Sequence, residues 1–531
     1  MAKIIYVPLD ERACNYIFPQ SFARMADGVE LLVPPREYMG EMKIPADYKR
    51  IWQWIFQNAP DCEYAILSVD TLVYGNIINS RIHHRSREEC EKTLDNFRKL
   101  KKQNPALRIH AFNLVARVAA SNDSHEDPDY WENYGKLIWR YAYLKDKIDR
   151  GHASDEEKAG LPKQTARIPS EYLEDFLARR KVDRFVNLYC VDLVGEGIFD
   201  LLTIPKDDTA EYGYAAMDQS AIAKKVREER LMNRVFVYPG ADEVGCVIFA
   251  RVLNLIHHYM PRVYVRYSST LGPAIVPLYE DRPLNESIKS QITSVGGILE
   301  DNPDRSDCML AINSPGKYMI ESSNQGTKDL TFSSHINMHE FLRYIGYYAD
   351  NYRKAVGLAE VSVSNGCENE FMDYAAISGV LDQVQAVGGW NTSQNTIGVV
   401  LAQTVLASYY HRFQKSLRQF RLSEEFKLRS IVCDWLYQSN VLRSFLKETK
   451  GKLDPFALGE NREATCSYFR EHLDGLIHLK FGGKYKGADI VLDHLSFDWD
   501  GANFINLHVS LENIKMPASS STVPIPEIPK F

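Results

Sequence analysis

The sequence predicts an α/β protein with a parallel β/α-alternating core, either TIM-barrel-like or arranged as tandem doubly wound sheets, followed by a mainly helical C-terminal region. Three observations carry this reading. Ten short runs rich in Val, Ile, Leu and Tyr recur, and nearly every one is followed by a polar turn and a longer helical pattern. The runs are apolar at successive rather than alternate positions, as strands of a helix-covered parallel sheet must be. The alternation stops near residue 415.

In chain order the strand runs are KIIYVPL, VELLVP, YAILSVD, IHAFNLV, FDLLTIP, VFVYPG, VYVRYSS, MLAIN, LAEVSVSN and VQAVGGW. Ten exceeds the eight of a single barrel, so either a barrel carries extra elements or two doubly wound sheets sit in tandem. Helical patterns fit between the runs. SREECEKTLDNFRKLKKQNP is one, with capping-box spacing between Ser86 and Glu89 and a stop at Pro105. Beyond the core, Leu422 to Thr449 reads as amphipathic helix, residues 460–480 as another, and NFINLHVSLENI as a short strand. The tail KMPASSSTVPIPEIPKF, with four prolines and a serine run, is expected to be disordered or draped. The expected division is a catalytic core over 1–415 with a subdivision near 260–340, a mainly helical region over 416–514, and the tail over 515–531.

At 531 residues the chain exceeds what one hydrophobic core usually serves. Hydrophobic residues at 45% and charged residues at 25% exclude a disordered or fibrous chain. The formal charge of -7 leaves no basic excess for phosphates, so nucleic acid is not an expected partner. No window approaches the ~20 apolar residues of a membrane helix, and MAKIIYVPLDER turns polar too early for a signal peptide, so no membrane association is expected and the cytoplasm is the expected compartment. The nine cysteines are scattered and lack any C-x-x-C pair, so they read as reduced core thiols. Nothing in the sequence indicates an oligomeric state.

In parallel α/β architectures ligands meet the carboxyl ends of the strands, where loops and helix amino termini converge. The residues found there are unusually polar: Asp10, Glu11 and Arg12; Asp70, with Tyr74 and Arg81 beyond it; Asn113 and Arg117; Lys206, Asp207 and Asp208; Asp242 and Glu243; Ser268 and Ser269; Asn313; Asn365 and Glu368; and Trp390, Asn391, Thr392, Asn395 and Thr396. Each has a bland reading, since Asp and Asn after a strand are favoured helix caps, and Arg81 or Arg117 could simply tie loops to Asp70 or Glu11. Taken together the acidic and amide groups, three arginines and one Trp suit a hydroxyl-rich ligand.

Two acidic pairs, Asp207-Asp208 and Asp242-Glu243, follow consecutive strands and are the expected catalytic groups. General acid and base work needs two carboxyls whose environments push their pKa values apart. A helix amino terminus favours the ionised form, which suits Asp242 or Glu243 as an anion and leaves the acid to the other pair. Asp10, Glu11, Arg12, Asp70, Tyr74, Arg81, Arg117, Lys206, Glu368, Trp390, Asn391, Thr392 and Asn395 are the expected substrate contacts. The same carboxylates would also suit Mg²⁺ or Mn²⁺, although no metal ligands are assigned and no cofactor is required. The chain has no H-E-x-x-H, no G-x-G-x-x-G after a strand, no P-loop and no G-x-S-x-G.

YVPLDER with CNYIFPQ, LSVDTLVYGNIINSR, IPKDDTAEYG, YPGADEVG and GGWNTSQNTIG together resemble the domain-of-unknown-function-4127 family of bacterial proteins, from the first strand to about residue 410. The chain departs from that pattern in having Ala13 in place of a proline and Glu368 in place of an aspartate. The family implies no activity. PGADEVG is also similar to a Gly-Gly-Asp-Glu-Val stretch of β-N-acetylhexosaminidases, which implies that Asp242 orients an acetamido group and Glu243 protonates. IPKDD is similar to a substrate-binding element of O-GlcNAcase-like enzymes. The expected function is therefore a cytoplasmic glycoside hydrolase, with N-acetylhexosaminides among its substrates. The alternatives are a Mg- or Mn-dependent enzyme using the same carboxylates and a non-catalytic small-molecule binding protein.

Overall fold

The computed structural model describes residues 1–413 and 416–514. All ten expected strands are present and, with one short strand that the sequence did not signal, they form two open parallel sheets. The first contains β1 (Ala2–Val7), β2 (Val29–Leu32), β3 (Tyr64–Ser68), β4 (Arg108–Phe112), β5 (Leu201–Lys206) and β6 (Val235–Pro239), in the order β2-β1-β3-β4-β5-β6. The second is built from β7 (Arg262–Tyr267), β8 (Ile298–Leu299), β9 (Cys308–Asn313), β11 (Ala355–Glu360) and β13 (Ala386–Gly388), in the order β13-β11-β9-β7-β8. β10 (Ile320–Glu321) and β12 (Val363–Ser364) make a small parallel pair beside it.

Counted from its own first strand, each sheet runs 2-1-3-4-5, the first with one strand more. This is doubly wound topology repeated along the chain, the tandem arrangement rather than the barrel. A barrel requires its first and last strands to pair, whereas β2 and β6 are opposite edges of an open sheet, and no closed barrel occurs among the described residues.

One continuous apolar cluster joins the sheets. It takes Ile4, Ile66 and Phe112 from the first sheet, Val263 and Leu310 from the second, and Val247 and Val400 from the helices Val244–Ile256 and Ser393–Phe413. These helices follow β6 and β13, so the apolar faces that cover the two sheets pack on each other. The opposite face of the first sheet is covered by Ile51, Leu94, Phe97 and Val191 from three further helices. The expected capping box is formed: Ser86 accepts from the Glu89 N–H and Glu89 from the Ser86 N–H.

The amphipathic stretch predicted at 422–449 is one helical run in three segments, Leu417–Ser430, the π-helical Ile431–Val441, and Leu442–Thr449. Arg462–Phe481 is the next helix. The strand expected at NFINLHVSLENI is β16 (Ile505–Glu512), and two strands not expected, β14 (Lys484–Tyr485) and β15 (Ala488–Phe497), join it in an antiparallel sheet. β15 has only one buried face and carries Asp489, Asp493 and His494, so it lacked the continuous apolar signal by which the other strands were recognised. This sheet shares an apolar cluster with β9 and β11. The tail expected to be disordered or draped, 515–531, lies outside the described residues. All nine cysteines are free and eight are buried. Among the described residues no helix is long and apolar enough to cross a membrane.

Candidate functional site

The loops after β5 and β6 place their acidic pairs at the carboxyl end of the first sheet. Gly240 has φ 140°, and a Cβ there would stand 2.1 Å from Glu243 Oε1, so the chain can enter the following helix this tightly only without a side chain. The turn sends Asp242 and Glu243 in different directions.

Asp242 belongs to a buried cluster centred on Arg12. The guanidinium donates to Asp10 at 2.6 and 3.0 Å and to Asp242 at 2.5 and 3.2 Å. Asn15 donates 3.0 Å bonds to both carboxylates, and Asn391 reaches Asp242 at 3.1 Å. Trp499 and Phe504 cover the guanidinium, their ring centres 4.8 and 5.2 Å from its carbon. Burial raises the Asp242 carboxyl and Arg12 opposes the shift.

A second cluster is built on Arg81 and Arg117. Arg81 joins Asp207 at 2.6 Å to Glu126 at 2.9 Å; Arg117 joins Asp127 at 2.7 Å, Glu126 at 3.2 Å and Asp208 at 3.2 Å. Burial alone would raise Glu126, but the two arginines outweigh it and bring the carboxyl down to about 2. Asp208 is pushed up to about 6 by burial and then by the charge of Asp207. Lys206 is fully buried, pairs with Asp281 and Gln219, and is lowered to about 8, chiefly by burial.

These two clusters wall a cavity of about 320 Å³ that also receives residues from the second sheet and the C-terminal region. This is the size and composite construction of a small-molecule site. Of the expected residues, Arg12, Arg81, Arg117, Lys206, Asp207, Asp208, Asp242, Trp390, Asn391, Thr392 and Asn395 line it. Asp10 and Glu11 stand behind the wall; Glu11 accepts from the Met42 N–H at 2.8 Å and the Trp499 indole at 2.7 Å and is pushed up to about 7, mainly by burial.

Four expected residues are not brought to the cavity. The Glu243 carboxyl folds back onto the Ala241 N–H and the Gln291 amide, both at 2.9 Å, and burial raises it to about 8. Asp70 accepts from Asn113 at 3.1 Å and the Leu114 N–H at 2.9 Å, and burial takes it to about 7. Tyr74 stacks on His83 with ring centres 4.3 Å apart. Glu368 caps the helix Asn369–Ile377 and pairs with Lys328.

Sequence reasoning missed Glu126, Tyr279, Glu280, Glu321, Arg443, Trp499 and Phe504, all of which line the cavity. Glu280 is held by Ser287 and Gln394 at 3.3 Å each, its Oε1 has no hydrogen-bond partner, and burial raises it to about 8. Its backbone neighbour Tyr279 accepts from the Thr209 N–H at 2.8 Å, which sets Glu280 beside the Asp207-Asp208 loop. None of these residues follows one of the ten strands recognised in the sequence; Glu321 ends the two-residue β10 and Trp499 follows β15. Trp499 and Phe504 did carry a signal: Asp500-Gly501 between them is a hairpin-turn dipeptide.

Chemically the cavity offers engaged and free groups. Arg12 binds both oxygens of Asp242, whereas Asp207 and Asp208 each give one oxygen to an arginine, Asp208 keeps 31% of its side chain exposed, and burial pushes Glu280 up to about 8. Among the described residues no group of three or more His, Cys, Asp or Glu is arranged to hold a metal ion.

The sequence matches the family described as "Protein of unknown function (DUF4127)" over residues 4–500. No curated protein and no solved structure matches the chain. The chain belongs to the DUF4127 family.

Proposed function

We propose that this DUF4127 protein is a hydrolase acting on a carbohydrate in the cavity above the first sheet, with Glu280 as general acid and Asp208 as general base. The supporting observation is that two carboxyls, Glu280 and Asp208, line one cavity in surroundings that raise them to different extents. At neutral pH Glu280, at about 8, carries its proton, and Asp208, at about 6, is mostly ionised. Glycosidic bond hydrolysis needs one group of each kind. Trp390 suits the apolar face of a sugar ring, and Asn391, Asn395 and Thr392 suit its hydroxyls.

Asp242, with both oxygens on Arg12, and Asp207, held through Oδ2 by Arg81, act as rigid acceptors. If the substrate is an N-acetylhexosaminide, Asp242 keeps the orienting role that the resemblance implied, and proton donation passes from Glu243 to Glu280. The Mg- or Mn-dependent alternative finds less support, because Arg12 engages both oxygens of Asp242 and arginines engage one oxygen each of Asp207 and Asp208.

The test is a panel of aryl glycosides, N-acetylhexosaminides included, assayed with EDTA present. Turnover is expected, with kcat/KM falling below about pH 6 and above about pH 8. Glu280→Gln and Asp208→Asn should each lower kcat by roughly 10²–10⁴-fold. Activity lost in EDTA and restored by Mn²⁺ would establish the metal-dependent alternative. Sugars that raise the melting temperature but are never turned over would establish a binding protein.

A further inference from the structure

We propose that a groove at the carboxyl end of the second sheet is a separate binding site for a small, uncharged, largely apolar molecule that carries a hydroxyl group at its inner end. The groove has a volume of about 920 Å³ and shares no lining residue with the first cavity. Asn313 and Ser362, at the ends of β9 and β11, reach it, which is where a doubly wound sheet receives ligands. It takes two strand-end residues, Asn313 and Glu368, that the sequence singles out and the first cavity leaves unused.

Apolar side chains form its walls: Phe332, Ile336, Met338 and Leu342 on one side, Tyr374 and Ile377 on the other. Ile377 is 83% and Tyr374 52% exposed, so an apolar occupant would remove surface that now faces water. At the edge Lys328 pairs with Glu368 and Glu370, and Asp329 and Arg343 add one charge of each sign, so the rim carries both signs and selects no charged ligand.

Asn313 gives the groove its polarity. The residue is 2% exposed, its amide nitrogen donates to Glu360 at 2.9 Å, and its Oδ1 has no partner. A buried acceptor left unmet is unfavourable, and a donor on the ligand would satisfy it. The chemistry therefore fits a phenol or an alicyclic alcohol, hydroxyl inward.

The test uses 4-phenylphenol and its methyl ether, 4-methoxybiphenyl, titrated by calorimetry into the full-length protein. The expected result is saturable one-to-one binding of the phenol, at least about tenfold tighter than the ether, because a site built around a hydroxyl discriminates against its absence. Ser333→Trp and Ser378→Trp, at exposed positions on the groove's wall, should each weaken the phenol at least about tenfold while the unliganded melting temperature holds. Asn391→Ala, in the first cavity, should leave phenol binding unchanged. Equal binding of phenol and ether, no saturable binding, indifference to both tryptophan variants, or loss of binding in Asn391→Ala would each overturn the proposal.

Discussion

Replacing Arg12 by Met tests whether the buried cluster is an electrostatic frame or a packing detail. Arg12 makes four hydrogen bonds to Asp10 and Asp242 and lies beneath two aromatic rings, with only 5% of its side chain exposed. Methionine keeps much of the apolar stem and removes the charge. Two buried carboxylates then face each other without a cation, and breaking a buried pair in this way costs about 3–5 kcal/mol. That is a large share of the ~5–15 kcal/mol that typically holds a domain folded. The loss should grow with pH. Burial already raises the folded-state pKa of Asp242 and Arg12 is the main opposing charge, so removing Arg12 raises it further. A carboxyl whose folded-state pKa lies above its unfolded value stabilises the protein below the unfolded value and loses that contribution as pH rises through the folded value. Urea unfolding of both proteins at pH 5 and pH 8 should show a larger deficit at pH 8. A deficit under about 1 kcal/mol, or one that shrinks as pH rises, would refute the electrostatic account.

The other expectations concern the divergence of Asp242 and Glu243. Because Glu243 is raised to about 8 by burial, the folded protein binds a proton that the unfolded chain releases near 4.5, and stability should fall between those values by about 1.4 kcal/mol per pH unit from this group alone. Glu243→Gln should remove that slope in urea titrations at pH 5 to 8; a slope equal to wild type would show that Glu243 is ionised in place. Gly240→Ala should cost about 1–3 kcal/mol in thermal unfolding, since the new Cβ meets Glu243 at 2.1 Å in a left-handed conformation; a neutral result would mean that the turn relaxes. Trp499→Ala should lower stability by about 3–5 kcal/mol, through lost packing on Arg12 and the lost bond to Glu11. Its circular dichroism should remain native.

What the sequence determined by itself was whatever nearest neighbours decide. Strands such as YAILS and CMLAIN are buried along their whole length, so their apolar runs were legible, and Ser86 and Glu89 close their box within one helical turn. The rule that ligands meet strand carboxyl ends singled out Arg12, Asp207, Asp208 and Asp242, which the structure brings to the wall of one cavity. Only the tertiary structure decided the rest, because it depends on contacts between residues far apart in the chain. Whether ten strands close into one barrel or open into two sheets is set by which edges pair, and no local pattern records that. Asp242 and Glu243 are adjacent and similar, yet Arg12 draws the first into the cavity wall while Gln291, 48 residues away, takes the second into the core. Burial, above all, pushes the Glu280 carboxyl up to about 8, and Trp499 joins the cavity from the far end of the chain. Proton affinity and proximity are properties of the assembled surroundings, which is why the residues proposed here for catalysis only partly coincide with those that stand out in the sequence.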